Sequence, residues 1–223
     1  FIDTPGHVDF TYEVSRALAA VEGAILLVDA TKGIQAQTLA NLKSAREQKL
    51  TIIPAVNKID LPSARTEEIS KSIADLLGVE ESSILRISGK TGQNVESLLR
   101  EVIARVPPAK EEIDKPLRAL VFDSHFDSFK GVVAYVRVQE GRVQTHESLF
   151  LKASGERAVA KEVGHFSPKE VPDRELCAGQ IGYIATGLKE PGMVRIGDTI
   201  TLVQTPEVAP LEGYASPKSV VFV

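Results

Sequence analysis

The chain has 223 residues, 43% of them hydrophobic and 25% charged, with a net charge of −4. That balance suits a water-exposed globular protein with enough apolar material for real cores. It argues against a basic body that coats nucleic acid nonspecifically: residues 1–114 carry 13 Lys+Arg against 17 Asp+Glu, and residues 115–223 carry 13 against 13. The single cysteine, Cys177, excludes an intramolecular disulfide framework. No apolar run approaches the ~18 residues of a membrane span and none reads as a signal peptide.

In chain order, Phe1-Ile2-Asp3 reads as the tail of a buried strand, so the sequence is expected to be a piece of a longer protein. The runs 24–28 (Ala-Ile-Leu-Leu-Val) and 51–56 (Thr-Ile-Ile-Pro-Ala-Val) are strands apolar on both faces, and 84–87 (Ile-Leu-Arg-Ile) is a third. Pro54 argues for an edge position or an irregularity in the second strand. Helical patterns fall at 11–20, 35–48, 65–77 and 93–105; in the last, Val95, Leu98, Leu99 and Val102 are expected to face a sheet. Strands alternating with helices predict βαβ units, a parallel sheet and an α/β class.

The pattern changes at Pro107-Pro108, where the prolines and the run Lys110-Glu111-Glu112 read as a linker. Beyond it the period becomes two. Strands are expected at 117–122 and 132–138 and ending at Leu151, and glycines punctuate the rest, which predicts a small antiparallel β-barrel. The expected organisation is a partial GTP-binding domain over 1–108, a linker over 109–115, a barrel over 116–203, and from 204 a second linker leading into the start of a third domain. The barrel histidines 125, 146 and 165 lack metal-ligand spacing, and Asp123 and Asp127 make no acid pair.

Three short strings carry chemistry. Asp3-Thr4-Pro5-Gly6-His7 follows the first apolar stretch and would put a carboxylate at the carboxyl end of a parallel strand, where ligands bind in α/β sheets. Gly6 could bring a backbone N–H close to a phosphate, and His7 could orient a water. Asn57-Lys58-Ile59-Asp60 follows the next strand but one, and a carboxylate there can accept the N1–H and 2-amino donors of guanine, which adenine cannot reproduce. Ser88-Gly89-Lys90 follows the third strand; a backbone N–H there could meet the guanine O6, with Lys90 near the base. Each string alone is equally readable as a turn. Their order at successive strand ends is what points to a nucleotide site.

With these strings in view, the chain resembles the translational GTPases, and within them the LepA group, also called elongation factor four. The strings match that family's switch II motif, guanine-specificity motif and third base-contacting loop. Further likeness lies in Gly6-His7-Val8-Asp9-Phe10, Tyr12 to Arg16, Gln35 to Asn41, Asp123 to Ser128, Gly131-Val132-Val133, Val194 to Thr201, and the tail from Gly213-Tyr214 to Phe222. The resemblance implies that GTP and GDP are bound, with Asp3 holding Mg²⁺ through a water, Thr4 and Pro5 in the nucleotide site, Gly6 sensing the γ-phosphate, and His7 as the catalytic residue that positions the hydrolytic water. Asn57, Lys58 and Asp60 would read guanine with Ser88, Gly89 and Lys90. It further implies a monomer acting in the cytoplasm on the ribosome, both rRNA and ribosomal proteins, in complexes that carry tRNA. Peripheral membrane association comes by resemblance only, and nothing in these residues supports it.

The sequence departs from the family in two ways. Gly89 stands where alanine is usual, and the G-x-x-x-x-G-K-[ST] phosphate loop does not occur in these 223 residues. As written, the chain is expected to present the base-binding side of the site without gripping triphosphate or hydrolysing it. The readings left open are a ribosome-dependent GTPase acting around translocation, a non-catalytic ribosome-binding remnant, and another translational GTPase such as elongation factor G.

Overall fold

The computed structural model describes residues 1–4, 11–110 and 112–211, and of residues 11–13 the backbone alone. These fall into two compact units that divide between Pro108 and Ala109.

In the first unit, three parallel strands stand in the order β1 (Gly23–Asp29), β2 (Thr51–Asn57), β3 (Leu85–Arg86). The helices α1 (Thr11–Ala19), α2 (Ala36–Glu47), α3 (Thr66–Leu77) and α4 (Val95–Arg105) cover both faces. Alternation along the strands explains this arrangement. Ile25, Ile53 and Ala55 pack with Leu98 and Val102 of α4. Leu26, Val28 and Val56 pack with Ile69, Ile73 and Ala74 of α3, and Ala24 and Ile52 pack with Val14 and Leu18 of α1 and Ala45 of α2. Helix α3 stops at Gly78, whose left-handed φ of 71° suits a residue without Cβ.

Four sequence-based expectations need correction. Pro54 lies in the middle strand, in register with Leu26, and not at an edge. In a parallel strand alternate residues address opposite neighbours. Val56 O accepts Ile87 N–H on the β3 side, so Pro54 also faces that side, where β3 pairs only with Ala55 and Val56. The missing N–H therefore faces a position that no ladder bond requires. Strand β3 is shorter than 84–87, because Ile84 closes a 3₁₀ turn at Glu81–Ser83. Leu99 does not face the sheet: it is 40% exposed, since the buried stripe runs through Leu98 and Val102 and Leu99 is turned away from it. Phe1-Ile2-Asp3 is not part of a strand: it pairs with none of the three strands of the described sheet, and Phe1 is 95% exposed.

The second unit is antiparallel. Its strands are β4 (Arg118–Asp127), β5 (Gly131–Glu140), β6 (Arg142–Gln144), β7 (Ser148–Leu151), β8 (Arg157–Val159), β9 (Glu162–Ser167), β10 (Lys169–Asp173), β11 (Glu175–Cys177), β12 (Ile181–Ala185) and β13 (Thr199–Leu202). Eight of them run in the order β10-β9-β12-β5-β4-β13-β7-β8, and β6 pairs with β11. Only Ala160 and Lys161 separate β8 from β9, although these strands stand near opposite ends of that order. The sheet must therefore curl back on itself into a barrel. Its interior is one apolar cluster drawn from β4 through β13, including Val121, Val136, Val143, Leu151, Val163, Ile184 and Ile200.

Candidate functional site

The carboxyl ends of β1, β2 and β3 meet at one edge of the first unit, and the loops that leave β2 and β3 hold the described candidate base-contacting residues. Asp29 and Asn57 end β1 and β2 as register partners, and Ala30 N–H donates to Asn57 O at 2.9 Å. Asn57 Oδ1 accepts two backbone N–H groups, from Lys58 at 2.7 Å and from Gly89 at 3.0 Å. The first bond accompanies a left-handed Lys58, φ 66°, a region a residue with a Cβ rarely adopts. The second joins the loop after β2 to the loop after β3.

A third connection lies below these. Ser88, fully buried, donates its Oγ–H to Asp60 Oδ1 at 2.7 Å and accepts Thr91 N–H at 3.1 Å. The loop is closed by Ser88 N–H to Gln93 O at 3.0 Å and Gly92 N–H to Ser88 O at 2.9 Å. The Ser88 bond, then the backbone N–H of Asp60 itself and the fields of Lys90 and Lys58, hold the Asp60 carboxyl below the usual carboxylate range. Asp60 is thus an anion at neutral pH, with Oδ1 taken by Ser88, and able to accept from donors on a planar ring.

Asn57, Lys58, Asp60, Ser88 and Gly89 thus form one bonded cluster, with Lys90 exposed beside it. The Gly89 N–H, which the sequence reading offers to a base carbonyl, is engaged by Asn57. Nor does Gly89 need to be glycine: a Cβ there would meet Asn57 Oδ1 at 3.7 Å, an ordinary contact. Asp3 is exposed and Thr4 half-buried, neither in a regular element. Pro5, Gly6 and His7 lie outside the described residues.

Sequence reasoning missed Asp29. Its Oδ2 pairs with Lys58 Nζ at 2.8 Å, and its Oδ1 accepts Thr31 N–H at 2.8 Å and Thr31 Oγ–H at 2.7 Å. Lys58 above all, and then Thr31, hold this carboxyl well below its ordinary range. The signal that could have found it is position: Asp29 closes a parallel strand at its carboxyl end, as Asn57 does. The cluster is an open rim; grooves of about 560 Å³ beside β3 and about 410 Å³ between α2 and α3 lie away from it. Among the described residues no group of three or more His, Cys, Asp or Glu could hold a metal, and no helix is long and apolar enough to cross a membrane.

A βαβ unit with its polar cluster at the strands' carboxyl ends, followed in the chain by a β-barrel, is the organisation of translation-factor GTPases. Residues 1–108 match the family described as elongation factor Tu GTP binding domain, and residues 131–201 match elongation factor Tu domain 2. The chain belongs to this family of translational GTPases. Its relatives along nearly the whole chain are elongation factor 4 proteins, as the sequence strings indicated. It is 52% identical to elongation factor 4 of Thermobifida fusca over 99% of this chain and 36% of that protein, and 51% identical to that of Alkaliphilus oremlandii over 99% and 37%. The chain therefore spans little more than a third of these relatives. Among solved structures, the fold is similar to bacterial selenocysteine-specific elongation factor EF-Sec, with a TM-score of 0.74 at 21% identity, covering 90% of this chain and 35% of that one. It is equally similar to translation elongation factor SelB from Methanococcus maripaludis, with a TM-score of 0.74 at 22% identity, covering 91% and 46%.

Proposed function

We propose that the chain is the base-reading part of a GTP-binding domain, with its barrel, from a ribosome-dependent elongation factor 4-type GTPase acting around translocation. The observation that carries this reading is the Asp60–Ser88 bond, which leaves an oriented, ionised carboxylate among the loops that end three parallel strands. Such a carboxylate takes both donors of the guanine edge, and adenine leaves it unpaired. In this reading Asn57, Lys58, Asp60, Ser88, Gly89 and Lys90 hold the base. Asn57 links the two loops, and the Gly89 N–H is shared between Asn57 Oδ1 and the guanine O6.

Residues 1–108 would be the partial GTP-binding domain, 109–115 a linker, 116–203 the barrel domain and 204–223 the passage into a third domain. Asp3, Thr4, Pro5, Gly6 and His7 complete the site by resemblance, with His7 orienting the attacking water. Bound Mg²⁺ would neutralise charge developing on the phosphates. Asp3 is the residue the resemblance offers for it, through a water. The expected partners are the ribosome and its tRNA-bearing complexes, the protein acting as a cytoplasmic monomer.

The test is twofold. The parent protein, carrying a phosphate loop, should hydrolyse GTP when ribosomes are present, and His7→Ala should abolish that stimulation. No hydrolysis by the parent would favour the non-catalytic ribosome-binding remnant instead.

A further inference from the structure

We propose that Asp29 is a positioning residue of the guanine site, which lays the Lys58 side chain across the ends of β1 and β2 as one wall for the base. The inference rests on the guanine-site reading above. It starts from a conformation that is costly without compensation. Lys58 has φ 66°, and its N–H is tied to Asn57 Oδ1. Its ammonium lies 2.8 Å from Asp29 Oδ2, on the neighbouring strand. Since Asp29 and Asn57 are register partners, the four methylenes of Lys58 bridge the two strand ends.

Asp29 is itself held firmly. Thr31 donates both its N–H and its hydroxyl to Oδ1, so the carboxylate cannot rotate to follow a moving lysine. The Asp29 side chain is 19% exposed and that of Lys58 50%, which places the fixed partner inside and the adjustable one at the rim.

The pair does a second thing. Lys58 is near enough to Asp60 to act on its charge, and an unanchored ammonium would be drawn to that carboxylate. It would then occupy the acceptor that must stay open for the guanine donors. By holding the ammonium at β1, Asp29 keeps Asp60 free, and the base meets an alkyl surface rather than a mobile cation.

The experiment uses the 223-residue chain, titrated with guanosine monophosphate and, as reference, adenosine monophosphate, and followed by NMR of the backbone amides and the lysine ammonium groups. The wild-type chain should prefer the guanine nucleotide, with the Lys58 ammonium visible through slow exchange. Asp29→Asn keeps the acceptor for Thr31; it should weaken guanosine monophosphate about fivefold, leave adenosine monophosphate unchanged and erase the ammonium signal. Lys58→Met should cause a similar loss, and adding Asp29→Asn to it should cost nothing more. Should Asp29→Asn fail to fold, Lys58→Met carries the test by itself.

Wild-type binding in either variant, or an undiminished Asp29→Asn effect in the Lys58→Met background, would overturn the positioning role while leaving the guanine reading intact. Equal wild-type affinity for the two nucleotides would overturn the guanine reading, and the role of Asp29 with it.

Discussion

The Ser88 hydroxyl donates to Asp60 Oδ1 across 2.7 Å and 28 residues of sequence, which makes the loops after β2 and β3 a single unit. Ser88 is fully buried, so removing its Oγ also strips Thr91 N–H of its acceptor. Ser88→Ala should cost the first unit about 1–2 kcal/mol, read as a lower urea midpoint by circular dichroism. An unchanged midpoint would mean that Asp60 and Thr91 find other partners.

Asp60→Asn should change which base is preferred. The carboxylate matches two donors, the N1–H and 2-amino groups of guanine. An amide offers one acceptor and one donor, which suits the N1–H and 2-oxo pair of xanthine. Guanosine monophosphate should bind at least about tenfold more weakly to the variant, and xanthosine monophosphate should overtake it. Calorimetric or NMR titration with both nucleotides checks this, and a uniform loss for both would argue against Asp60 as the reader of the base.

Gly89→Ala should be accepted. The added methyl meets Asn57 at ordinary contact distance, and φ there is not in the left-handed region. Restricting the unfolded chain should raise stability by about 0.5 kcal/mol, with the Asn57 bond kept. The readout is the urea midpoint together with the Gly89 amide shift; a fall in stability would show that the loop needs glycine's freedom.

In the barrel, Glu140 joins Arg118 to Lys115, and Arg118 first, then Lys115, lower its pKa from 4.5 to about 2. Because the folded value is depressed, the stabilisation is fully present above about pH 4.5 and is lost as pH falls through 2. The partly solvated Arg118–Glu140 pair should contribute on the order of 2 kcal/mol at neutral pH. Glu140→Gln should lower stability at pH 7 and flatten its decline between pH 4.5 and 2. Parallel pH profiles for variant and wild type would exclude the linkage.

Much of the fold was legible because it follows from the period of the apolar residues. The apolar runs at 24–28 and 51–56, the helices between them and the alternating 132–138 strand each fix a local conformation by which face they must bury. The strings at 57–60 and 88–90 were legible for a related reason: each lies just past a parallel strand, where backbone groups are left for a ligand. What the residues determined by themselves was therefore the class of fold and the identity of the candidate base-reading side chains.

Tertiary structure decided what depended on a neighbour distant in sequence. Pro54 could sit in the middle strand because β3 begins only at Leu85, the partner of Ala55. Leu99 was exposed because the buried stripe of its helix runs through Leu98 and Val102 and leaves Leu99 turned away. The Gly89 N–H went to Asn57, and Lys58 to Asp29, through contacts that span 32 and 29 residues. Local propensity acts over a few residues, whereas a hydrogen bond or ion pair depends on distance in space, and the sheet register alone brings Asp29 and Asn57 side by side.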